Sequence, residues 1–158
     1  MAYRTHTCGD LRAEHAGQTV TLSGWVDVVR DHGGILFVDL RDRYGVTQVV
    51  FDPADAADAY QIAHQARAEF VIQVEGKVAA RPDEMVNKTL PTGAIEVFAK
   101  QATLLNKSRT PPFPMDEAKA AKVSEDLRLQ YRYLDLRREG MQRNLKMRHK
   151  ILQAVRSY

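Results

Sequence analysis

Apolar and polar residues alternate with a period of two along five separate stretches of the chain, the signature of half-buried β-strands. In "QTVTLSGWVDVVR", Val20, Leu22, Gly24, Val26 and Val28 fall on one face, which predicts a first strand over about 19–30. "GILFVDLRD" predicts a second, with Leu36, Val38 and Leu40 inward and Ile35, Phe37, Asp39 and Arg41 outward. "VTQVVFD" predicts a third strand over about 46–51. The texture then changes: "PADAADAYQIAHQARAEF" is rich in alanine and repeats Ala59, Ile62, Ala63 and Ala66 at helical spacing. This predicts a helix, with Asp52-Pro53 and Asp55 suited to its start. Alternation resumes in "FVIQVEGKVAAR", with Phe70, Ile72, Val74, Gly76 and Val78 inward, and returns in "AIEVFAKQATLL" after a polar loop.

The order β-β-β-α-β-β in about 100 residues predicts a mainly β fold. Gly24 and Gly76, inside the first and fourth strands, allow the sharp coiling a small closed barrel needs. A five-stranded barrel with a helix between strands three and four is the OB-fold, which commonly binds ligands on strands two and three. Domain one is thus expected over 1–105. "NKSRTPPFP" opens a proline-stiffened linker over 106–123, and helices fill 124–158. The first of these helices is expected from the N-cap Ser124 to a stop at Gly140. The last, from about Met141, carries Ile151, Leu152, Val155 and Tyr158 on an apolar stripe that nothing left in the chain would cover. That stripe predicts a chain that continues into a longer protein.

An outward Phe37 among charged neighbours needs explaining. On the ligand face of an OB-fold it is a platform for an unpaired base, and stacking there is worth about 1–3 kcal/mol. Gln48 on strand three has both an amide donor and an acceptor, as reading a base edge requires. The competing explanation is that Phe37 packs beneath the loop 82–93.

Composition narrows the class. The 158 residues carry a net charge of +3, but "RREGMQRNLKMRHK" over 137–150 holds six Lys/Arg against one Glu. That run is either a solvated helix face or a surface facing phosphates. No run approaches the roughly 18 apolar residues of a membrane span, and the N-terminus has no apolar signal region. Cys8 is the only cysteine, which excludes an internal disulfide and fits a reducing, cytoplasmic setting. One Cys and five scattered His give no metal-ligand spacing.

"GWV" at 24–26, "RDHGG" at 30–34, "FVDLRDRYGVTQVVFDP" at 37–53, "TGAIEV" at 92–97 and "RYLDLRR" at 132–138 together resemble the bacterial aspartyl-tRNA synthetases. The resemblance runs in order along nearly the whole chain. It implies that 1–105 bind the tRNA anticodon and that the last helix opens a class II catalytic domain. By motif position, Phe37 corresponds to the aromatic that stacks on an anticodon base, and Gln48 to the reader of the central uridine. Arg30, Arg81, Asn87 and Glu96 match residues lining the anticodon pocket. His32 and Glu84 fall at places that vary between enzymes restricted to tRNA(Asp) and relaxed enzymes that also charge tRNA(Asn). His32 implies the relaxed type. Val28 and Val29 depart from the pattern, since many members carry arginines there. The resemblance further implies a homodimeric full-length ligase using ATP and Mg2+, with no catalytic residue and no cofactor site inside this chain. The alternative is a free-standing OB-fold protein for single-stranded nucleic acid.

Overall fold

The computed structural model describes residues 3–158, and the chain divides into two compact units, 1–110 and 111–158. The first unit is a closed barrel of five strands in the order β1-β2-β3-β5-β4. These are β1 (Thr19–His32), β2 (Ile35–Arg41), β3 (Val46–Phe51), β4 (Val71–Ala80) and β5 (Ile95–Asn106), with α1 (Ala57–Gln65) between β3 and β4. All neighbours pair antiparallel except β3 and β5, which are parallel. The sequence-predicted inward positions Val20, Leu22, Leu36, Val38, Leu40, Ile72, Val74 and Val78 form one buried core with Ala59 and Ala63 of α1. The coiling glycines act by contact. A Cβ on Gly24 would stand 2.5 Å from the Arg41 carbonyl oxygen, and one on Gly76 would stand 2.4 Å from that of Phe98.

Strict alternation fails in β5, where Lys100 is an extra residue opposite β4 and the inward set passes from Ile95, Val97 and Ala99 to Ala102 and Leu104, and it fails in β1. The β1–β2 register shifts between Val26 and Val28, so Asp27 is an extra residue in the ladder. Before the bulge the even-numbered residues point inward; after it Val28 is exposed and Val29 packs against the core. Val28 is therefore not the core residue the alternation predicts. The same flip turns Arg30 outward, opposite Phe37. The bulge is held from outside the strand pair. Glu69 donates its backbone N–H to the Val26 carbonyl at 2.7 Å, and Val26 donates to the Phe70 carbonyl at 2.8 Å. Glu69 has φ 68, unusual for a residue with a side chain. Its buried carboxylate accepts Arg41, whose Nε also lies 3.7 Å from Asp27.

The predicted start of α1 also differs. The helix begins at Ala57 with Ala56 as an N-cap that makes no side-chain bond. Asp52 instead closes the preceding turn, its side chain accepting Ala54 N–H at 2.8 Å.

In the second unit, α2 (Glu117–Ala120) lies inside the stretch read as linker, followed by α3 (Glu125–Gln130), α4 (Arg132–Asp135) and α5 (Glu139–Ser157). Phe113, Met115 and Leu134 form its core, with Val123, Leu127 and Tyr131 packed alongside. Ser124 caps α3 as expected, accepting Leu127 N–H at 3.4 Å. The single helix expected over 124–140 is broken at Tyr131, where φ −108 and ψ 46 leave the helical region. Gly140 starts a helix rather than stopping one. Its N–H donates to Glu117 Oε2 at 3.1 Å, and a Cβ there would stand 2.9 Å from Glu117 Oε1. A carboxylate at that helix N-terminus complements the backbone dipole.

Candidate nucleic-acid interface

The outer face of β2 and β3 carries a line of bonded polar side chains. Register sets it up: Arg30 stands opposite Phe37, and Asp39 opposite Gln48. Arg30 grips Asp39 with two parallel bonds, Nη1 to Oδ2 at 2.7 Å and Nη2 to Oδ1 at 2.8 Å. This fork geometry gives orientation as well as attraction, and the Asp39 bonds push the Arg30 pKa up from its ordinary value. Arg30 Nη2 also donates to Gln48 Oε1 at 3.3 Å. Gln48 Nε2 then donates to Glu96 Oε2 at 3.2 Å, and Arg81 Nε lies 3.6 Å from the same oxygen.

Two guanidiniums thus balance two carboxylates around one neutral amide. The Gln48 amide is fixed from both sides: its oxygen faces a donor and its nitrogen faces an acceptor. An amide has two N–H groups and two lone pairs, so one donor and one acceptor remain for a ligand. Phe37 is half-buried, and its ring meets the His32 ring edge-on, with centroids 5.6 Å apart at 69°. A flat group on Phe37 would be bordered by His32.

Of the residues singled out from sequence, Arg30, Gln48, Arg81 and Glu96 come together in this network, with Phe37 and His32 beside it. Asn87 and Glu84 lie elsewhere, in the loop joining β4 to β5. Asn87 Oδ1 accepts Thr89 N–H at 3.0 Å, so its side chain shapes that loop. Glu84 is exposed in a single 3-10 turn over Asp83–Met85. Sequence reading underrated Asp39, the residue that orients Arg30. The signal was its alternation onto the Phe37 face. Val29, one of the two valines in place of family arginines, packs against the core, so only position 28 faces out.

The chain belongs to the family of OB-fold nucleic acid binding domains, whose model matches residues 20–105. A second model, for class II tRNA synthetases (D, K and N), matches residues 124–158. The chain is 57% identical over 157 residues to the aspartate–tRNA(Asp/Asn) ligase of Salinibacter ruber, covering 98% of this chain and 25% of that protein. It is 56% identical over 156 residues to the protein of the same name from Acidobacterium capsulatum, again 98% of this chain and 25% of the other. It therefore spans about a quarter of the length of these relatives. Among solved structures, asparaginyl-tRNA synthetase from Pyrococcus horikoshii matches with a TM-score of 0.80 at 24% identity, over 96% of this chain and 33% of that one, a likeness of fold.

Proposed function

We propose that this chain recognises the tRNA anticodon as part of an aspartate–tRNA ligase. The observation that carries the reading is the Gln48 amide, held between Arg30 and Glu96 with one donor and one acceptor left over, beside the outward Phe37. That pair of groups suits uracil, whose edge offers a donor next to acceptors, while Phe37 supplies the stacking surface. Arg30, Arg81, Glu96 and Asn87 complete the anticodon contacts. The high identity to ligases over both units favours this reading over a free-standing single-strand binder.

The full-length protein would activate aspartate with ATP and Mg2+, esterify it to tRNA(Asp), and act as a cytoplasmic homodimer. No cluster of three or more His, Cys, Asp or Glu stands ready for a metal among the described residues. No step of that chemistry is assigned to this chain, which alone should not activate aspartate. Among the described residues no helix is long and apolar enough to cross a membrane.

We further infer a relaxed enzyme that charges tRNA(Asn) as well. His32 borders the stacking surface, and an imidazole donates or accepts, so it tolerates either base edge. Glu84 is the second candidate discriminator. The names of the relatives, which include both tRNAs, support this. The test is to charge both tRNAs with full-length protein, before and after His32→Leu. The reading expects comparable charging, with His32→Leu shifting the ratio. A preference for tRNA(Asp) above about a hundredfold in the unmutated enzyme, near 3 kcal/mol, would rule it out.

A further inference from the structure

Beyond the end of β2 the turn to β3 carries a second set of groups suited to RNA. Tyr44 is 48% exposed, with the guanidinium carbon of Arg43 at 4.8 Å and that of Arg4 at 5.5 Å from its ring centroid. Both arginines are exposed. The turn beneath them is tied together through Asp42. Asp42 Oδ1 accepts Tyr44 N–H at 2.7 Å and Gly45 N–H at 3.0 Å, while Oδ2 accepts Cys8 N–H at 3.0 Å and Arg4 Nη1 at 3.1 Å. The N-terminal segment presses on the turn so closely that a Cβ on Gly45 would stand 2.7 Å from Gly9 Cα. Asp42, the acid of this turn, is thus occupied by Arg4 and three backbone N–H groups. Arg43 adds a cation that this carboxylate does not take up.

The turn continues the line of the pocket. From Phe37, β2 runs through Asp39 to Arg41, about 13 Å at the usual rise per residue, and then enters the turn. The same end of the barrel holds the start of β3 and the approach to β5, since Thr92 donates its hydroxyl to the Val46 carbonyl. OB-folds engage on the order of four or more nucleotides of a single strand, more than the Phe37 and Gln48 contacts use.

We propose that Arg43 and Tyr44 form a second contact for single-stranded RNA, the Arg43 guanidinium taking a phosphate and the Tyr44 ring meeting a base or ribose, with Arg4 held beside them by Asp42. The proposal rests on the anticodon reading above, because that reading places an RNA strand along β2 and β3. The contact adds affinity without reading sequence, as phosphate contacts do.

The test measures binding of this chain to aspartate anticodon stem-loops over a range of salt. Arg43→Ala should weaken binding several-fold for every anticodon sequence. It should also make the fall of log K with log salt shallower by about 0.7, the share of one single-strand phosphate. Arg43→Lys should restore the slope, and the exposed site should leave thermal unfolding unchanged. Unchanged affinity and slope in Arg43→Ala would overturn the proposal, as would a loss confined to one anticodon base. If the unmutated chain shows no preference among anticodons, the pocket reading fails, while the Arg43→Ala slope still decides this contact.

Discussion

The arginine–carboxylate network on the β2–β3 face of the barrel differs from the one in the helical unit. On the barrel, Arg30 and Asp39 side chains keep 39% and 16% of their exposure. In the helical unit, Arg138 and Asp135 keep 5% and 2%, and Arg138 Nε meets Asp135 Oδ1 at 2.7 Å. Arg138 Nη1 donates to Glu117 Oε1 at 2.7 Å, Glu117 also accepts Gly140 N–H, and Arg132 Nη1 donates to the other Asp135 oxygen at 2.6 Å. That network spends its valences internally, tying α2 and α4 to the start of α5. The barrel network leaves Gln48 with a donor and an acceptor to spare. Residue type does not separate the two networks; burial and unspent hydrogen-bonding capacity do, and on the proposed function that difference is the one between a binding site and a structural clasp.

The largest expected effect falls on the buried network. Asp135→Ala leaves the buried Arg138 with only the half-exposed Glu117 as carboxylate partner, and breaking a buried pair costs up to about 3–5 kcal/mol. Hydrogen exchange should show residues 111–158 losing protection. Cys8 is a built-in control for the barrel. Burial pushes its thiol pKa far up, with Asp42 adding to the effect, so the reactive thiolate is scarce at neutral pH. A thiol reagent should therefore label Cys8 no faster in Asp135→Ala than in the unmutated chain. Faster labelling would mean that the clasp also supports the barrel.

Next in size is Phe37→Ala, which should weaken anticodon stem-loop binding by about 1–3 kcal/mol, or about 5- to 150-fold. The barrel should stay folded, because the side chain is on its outer face. Unfolding of both Phe37→Ala and Phe37→Tyr would show that Phe37 serves packing instead.

Asp39→Asn makes the smallest change to stability and sharpens the contrast most. Its partner Arg30 is 39% exposed, so solvent screening holds the folding cost within about 1 kcal/mol. Binding should suffer more than folding, since Arg30 loses the fork that aims it at Gln48. A melting shift as large as that of Asp135→Ala would erase the distinction between the two networks.

Much of this was legible in the sequence. Period-two alternation placed every strand, Phe37 stood out as an aromatic on a polar face, and family motifs singled out Arg30, Gln48, Arg81 and Glu96, which the fold brings into one network. The misses have physical causes. The bulge at Asp27 lies in a run of valines where either face could be apolar, and it is fixed by Glu69, far along the chain. Gly140 looked like a helix stop because its partner, Glu117, is 23 residues away. The capping of α1 went astray because Asp52 serves a turn before serving a helix. Local pattern reports local preference; distant residues decided the bulge and Gly140, and a competing local turn took Asp52.

The central claim is that Gln48, poised by Arg30 and Glu96, reads one anticodon base. It is tested most directly by measuring the affinity of this chain for stem-loops that differ only at the central anticodon base, with and without Gln48→Ala. The account predicts a preference for uridine of about tenfold or more, near 1.4 kcal/mol, that collapses in Gln48→Ala while residual binding persists. Equal binding of all stem-loops by the unmutated chain, or an equal loss for every base in Gln48→Ala, would contradict it.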